Sequence, residues 1–178
     1  MDKKERMAAL NKEMILQAAE HLVQTKVFSE TTIADISRES QYSRRTIYAY
    51  FDSKGSILEQ IVLQGLQTLD QNIEVSIRED LPFLERYMLI CAAAEDYFVN
   101  SPQSFQAVKR IKSKDMDPGE LSRTAREIFD MGGTINQRLI TFLQEGIDEG
   151  VVLSHIHPRK PVYVMWSSLT GLFTLVQS

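Results

Sequence analysis

The sequence predicts an all-α fold, a three-helix helix-turn-helix head at the N-terminus followed by a helical bundle. Two observations carry this. Glycine and proline are scarce among the 178 residues, at 8 and 5, and no run of six positions alternates Val, Ile or Thr with polar side chains as a half-buried strand would. Apolar residues recur instead three and four apart, the spacing of one helix face. With 43% hydrophobic residues, the chain can bury one core of ordinary size and a small satellite module. The expected division is residues 1–55 for the head and 56–178 for the bundle.

The first helix is predicted from Lys3 to Thr25, with Ile15, Ala18, Ala19, Leu22 and Val23 on its apolar face. "VFSETT" breaks it, and Thr32 is placed to cap a second, short helix through about Arg38. "SQY" forms a turn, Ser43 caps a third helix, and Phe51 ends it. Asp52 or Ser53 caps a fourth, which begins near Lys54. Its stripe is Ile57, Leu58, Ile61, Val62, Leu66, Leu69 and Ile73. Pro82 restarts the pattern for a fifth helix through about Val99. "NSPQ" opens a sixth that ends in the basic stretch "KRIKSK", and "DMDPGE" reads as a loop. A long helix from about Glu120 to Gly150 follows, with Gly132-Gly133 marking a kink or a close helix contact. The last helix starts near Pro161 and is apolar nearly all round.

Charge is unevenly spread. Residues 1–60 hold nine basic and nine acidic side chains against eleven and fifteen in the remainder. The net charge of -4 therefore does not argue against nucleic acid at the head. A single cysteine, Cys91, excludes an internal disulfide framework and fits a reducing, cytoplasmic setting. "MDKKERMAAL" lacks the apolar stretch of a secretory signal, and "PVYVMWSSLTGLFTLVQS" reads as a buried helix, with no membrane partner expected.

Residues 32–51 read as helix, tight turn and helix, an arrangement that lays its second helix in the major groove of DNA. On that helix Ile47 and Phe51 point inward together, while Arg45 and the small Ala49 point the opposite way. Arg44 and Arg45 occupy the first turn, where a guanidinium can grip guanine O6 and N7 with two hydrogen bonds. Ser43, Thr46, Tyr48, Tyr50, Lys54 and the helix start at Thr32 suit phosphate contact. Lys3, Lys4 and Arg6 are read as a solubilising tail.

"ILQAAEHLVQTKVFSETTIADIS", the turn "SQYS" and "RRTIYAYFDSKGSILEQI" together resemble the DNA-binding head of the tetracycline-repressor (TetR) family of transcriptional regulators. Tyr48, the Tyr50-Phe51 pair and Lys54 fall at the family's fixed offsets. "FLQEGIDEGVV" is similar to its late helix with a glycine-ended stop. The strong match covers about residues 8–62. Two departures stand out: Gln41 occupies the turn's usual glycine, which implies a left-handed residue or a different turn there, and Ser37 replaces an alanine. The resemblance implies a homodimer on a palindromic double-stranded operator, and a bundle that holds a small effector.

The last helix supports the dimer independently, because one chain cannot bury an apolar surface on every side. The expected interface is Phe142, Ile147, Val162, Met165, Leu169, Leu172 and Phe173. An apolar or aromatic effector would be lined by Met88, Tyr97, Phe98, Phe105, Met116, Phe129, Met131 and Trp166, although each of these also reads as plain core. His21 is expected to pack. His155 and His157 lack further ligands, so no metal is expected. The sequence shows no nucleotide-binding, zinc-protease or serine-hydrolase motif, so neither a cofactor nor catalytic residues are expected. The competing reading is a helical interaction or small-molecule-binding protein that never meets an operator.

Overall fold

The computed structural model describes residues 2–25, 29–78, 80–100 and 121–176. Among these lie α1 (Lys3–Thr25), α2 (Ile33–Ser40), α3 (Arg44–Tyr50), α4 (Lys54–Arg78), α5 (Phe83–Asn100), α6 (Arg123–Asp148) and α7 (Arg159–Val176), and no strand. The expected helix after "NSPQ", its "KRIKSK" end and the "DMDPGE" loop lie outside the described residues. The chain divides into two compact units. One contains α1, α2, α3, α4 as far as Gln64 and the start of α6 to Arg126. The other contains α4 from Gly65, α5, the rest of α6 and α7.

In the first unit, Ile15, Leu16 and Ala19 of α1 meet Ile36 of α2, Ile47 and Phe51 of the α3 segment, and Ile57 and Ile61 of α4. All are buried, five of them at 0% exposure. Short α2 and α3 could not persist alone, since helices of two turns are marginal in water. Their stability comes from this shared core and from their caps. His21 does not pack as expected: its ring is exposed, and Nδ1 lies 2.8 Å from Oε1 of Glu39 in α2.

In the second unit, Phe83 of α5 stacks on Phe142 of α6 at 4.5 Å and 7°, with the Arg86 guanidinium 5.2 Å from the Phe142 ring centroid. Gly146, one turn along α6, has no room for a side chain. A Cβ there would lie 2.5 Å from the Phe83 ring and 2.9 Å from Val152. Gly150 ends the helix at φ +76°, while the amides of Val151 and Val152 donate to the Gly146 carbonyl, the left-handed stop expected there. Gly132-Gly133 does not break α6, and among the described residues a Cβ on either finds nothing within 4 Å. Arg138 of α6 grips Asp70 of α4 with Nε at 2.9 Å and Nη2 at 3.2 Å, a bidentate pair that raises the guanidinium pKa above its ordinary value.

Candidate nucleic-acid interface

The head's second and third helices are fixed at both ends by their own residues. Thr32 caps α2: its Oγ1 accepts from the Asp35 amide at 3.2 Å, and Asp35 Oδ2 accepts from the Thr32 amide at 3.0 Å. This reciprocal box satisfies two amides that the helix leaves open. The Thr32 hydroxyl also donates to Asp35 Oδ2 at 2.8 Å. Ser43 caps α3, its Oγ accepting from the Thr46 amide at 3.1 Å and lying 2.8 Å from Thr46 Oγ1.

Between the helices Gln41 adopts φ 61° and ψ 14°, the left-handed conformation that the missing glycine implied. Two serines secure the strained turn. Ser37 Oγ donates to the Tyr42 carbonyl at 2.6 Å, and Ser40 Oγ donates to the Ile36 carbonyl at 2.6 Å. The hydroxyl at position 37, which departs from an alanine, is thus used to hold the turn.

With Ile47 at 0% exposure and Phe51 at 4%, α3 can turn only its other face outward. Arg45 and Ala49 are exposed there, and Arg44 and Tyr48 are exposed along its edge. Neither arginine forms an ion pair with a described residue. Two guanidinium forks and a phenol therefore stand on a rigid support, flanking an alanine that leaves room for close approach. Such a surface is built to take an acceptor-rich, anionic ligand.

Lys54 and Tyr50 have neighbours that the sequence did not reveal. The Lys54 ammonium donates to the carbonyls of Thr31 at 2.8 Å and Ser29 at 3.2 Å, tying the start of α4 to the chain entering α2. Half-buried Tyr50 meets α1, where Asn11 Nδ2 donates to its hydroxyl oxygen at 3.0 Å. Asn11 Oδ1 in turn accepts from the Tyr42 hydroxyl at 2.8 Å. No periodicity marks Asn11 as part of this site, because its partners are 31 and 39 residues away.

The residues expected around an effector fall into separate places. Tyr97 and Phe98 are buried, and Phe98 meets Trp166 edge-on at 6.1 Å. Trp166 Nε1 donates to Asn136 Oδ1 at 2.9 Å. Met131 is half-buried, whereas Met88 and Phe129 are exposed. Phe105 and Met116 lie outside the described residues. A cavity of about 20 Å³ opens instead between Tyr87, Ile90, Leu139, Phe142, Leu143, Pro161, Val162 and Met165, room for one small group.

Of the expected interface residues, Phe142 and Val162 are buried within one chain. Ile147, Met165 and Leu169 are half-buried, Leu172 is 62% exposed, and the Phe173 side chain lies outside the described residues. Tyr163, Val164 and Leu175 join Leu172 as exposed apolar side chains on α7. No helix among the described residues is long and apolar enough to cross a membrane, and no group of three His, Cys, Asp or Glu among them could hold a metal.

A capped helix pair presenting arginines from a small shared core defines a helix-turn-helix protein. The resemblance to the tetracycline-repressor family holds: residues 15–61 match the sequence profile of the family described as bacterial regulatory proteins, tetR family. The fold agrees along most of the chain. It is similar to the TetR family transcriptional regulator PfmR from Thermus thermophilus, with TM-score 0.72 and 23% identity over 90% of this chain and 84% of that one. It is similar to the transcriptional regulator FadR from Bacillus subtilis, solved in complex with stearoyl-CoA, at TM-score 0.69 and 16% identity over 92% and 85%. It is also similar to AibR, solved with isovaleryl coenzyme A and operator DNA, at TM-score 0.69 and 11% identity over 92% and 86%. No curated protein matches the chain by sequence.

Proposed function

We propose that the protein is a homodimeric transcriptional repressor that a small molecule releases from a palindromic operator. The observation that carries this reading is the exposure of Arg44 and Arg45 in the first turn of α3, without ionic partners among the described residues, on a helix locked in place by buried Ile47 and Phe51. Arg45, with Ala49 beside it, reads base edges. Arg44, Ser43, Thr46, Tyr48 and Tyr50 hold phosphates, and the Thr32 and Lys54 segments support them. The DNA-binding part lies within residues 1–55, and effector binding and dimerisation fall to 56–178.

Two copies meet through α7, whose exposed Leu172, Val164 and Leu175 belong beneath a partner, together with Met165, Leu169 and Ile147. A two-fold dimer places its recognition helices about 34 Å apart or a multiple of it, so the operator consists of two inverted half-sites. The effector is apolar, with the cluster of Tyr97, Phe98 and Trp166 as its nearest aromatic wall. Acyl-CoA thioesters are the first class to try, because two proteins of this fold were solved with them. An effector lowers operator affinity only by the difference in its own affinity for the bound and free forms.

Selection of duplex fragments from the host genome by the purified protein tests this reading. Enrichment of inverted repeats whose half-sites are one helical turn or a multiple apart supports it. Recovery of no common element, or of a single unrepeated one, overturns it.

A further inference from the structure

The hydrogen bonds of the first unit form a directed chain that ends on an unused proton. Tyr42 Oη donates to Asn11 Oδ1 at 2.8 Å. Asn11 Nδ2 donates to Tyr50 Oη at 3.0 Å. The amide uses its acceptor on one tyrosine and a donor on the other, and all three residues are half-buried. Tyr50's oxygen therefore accepts, and its own O–H finds no acceptor among the described residues. Tyr50 lies on the flank of α3, between the buried Ile47 side and the exposed arginine face. A groove wall beside that flank offers phosphate oxygens, which can only accept.

We infer that Asn11 of α1 is a positioning residue for DNA binding: it fixes the Tyr50 hydroxyl and aims its proton at a backbone phosphate, with Tyr42 setting which way the amide faces. The inference rests on the DNA-binding reading above. Donation into the Tyr50 oxygen strengthens the bond its proton makes, because successive hydrogen bonds polarise one another. Tyr42 acts without touching the duplex. If its hydroxyl is lost, the amide is free to turn and take up the Tyr50 proton itself.

The test uses the full chain and a mixed-sequence duplex of about 30 base pairs at low salt, since a phosphate contact needs no operator. Binding is followed by fluorescence anisotropy, and folding of each variant by thermal unfolding. Tyr50→Phe should weaken binding about ten-fold per head, the scale of a hydrogen bond to a charged group. The slope of affinity against salt should stay unchanged, because no charge is removed. Asn11→Ala should lose about as much, and the double variant no more than either alone. Tyr42→Phe should also weaken binding, although it removes nothing that touches DNA. The inference is overturned if the two single losses multiply in the double variant, or if Tyr42→Phe or Asn11→Ala binds like wild type. It is also overturned if the losses only track the folded fraction. Failure of the wild-type protein to bind any duplex is a different result, seen before a variant is made, and it removes the DNA-binding reading itself.

Discussion

Gln41 shows how one side chain can set a local cost. A non-glycine residue at φ 61° crowds its Cβ against the following carbonyl, at about 1–2 kcal/mol, part of which glycine would return as unfolded-state entropy. Gln41→Gly should therefore raise stability by about 0.5–1 kcal/mol in urea unfolding, with no change in the denaturant slope. Glu20 carries a different penalty. Burial, and then the nearby Glu13 carboxylate, raise its pKa above the ordinary 4.5. A raised carboxyl pKa favours the fold only while the group is protonated, and that contribution is lost as pH rises through the folded value. Glu20→Gln should thus be the more stable protein at pH 7, with its advantage fading as pH falls through the raised folded value and gone below the ordinary one. Unfolding curves across pH 3–8 (roughly the span in which carboxyl groups titrate) would show it.

Among the elements, the head was the most readable part of the sequence. The three-four spacing in α1 and α4, and the Thr32 and Ser43 caps, are local signals, and they placed the core of Ile15, Ile36, Ile47 and Ile57 correctly. Partners brought together only by folding left no local trace. The carbonyls that hold Lys54, the amide between Tyr42 and Tyr50, and the exposed pairing of His21 with Glu39 are of this kind. Composition also could not separate Tyr97 and Phe98, which are buried, from Met88 and Phe129, which are exposed, since an apolar residue on a helix does not name the side that faces a core. The packing of α6 on α5 can be tested directly. In Gly146→Ala the new methyl would lie 2.5 Å from the Phe83 ring, which is itself stacked on Phe142 and cannot swing away freely. A loss of about 1–3 kcal/mol, the usual range for overpacking, is expected from chemical unfolding.

At the scale of the whole molecule, the unburied apolar surface of α7 is what a single chain leaves unfinished. Leu172 at 62% exposure and Leu175 at 74% lie among uncharged neighbours, where a partner would remove them from water. Leu172→Asp should therefore shift the protein from dimer to monomer in sedimentation at micromolar concentration, because a buried unpaired carboxylate costs several kcal/mol. Its helical content should be retained, as the side chain is 62% exposed. The apolar character of this helix was legible in the sequence, but not that Phe142 and Val162 would be buried within the single chain.

On the proposed reading the guanidinium groups of α3 engage a duplex. The most direct measurement is the salt dependence of duplex affinity for wild type and for Arg44→Ala and Arg45→Ala. Wild-type affinity should fall steeply with salt. The slope should be about one unit shallower for each phosphate-bound arginine removed per duplex, with relaxed sequence preference where Arg45 reads a base. Variants with wild-type affinity, slope and preference would show that these guanidinium groups do not touch DNA.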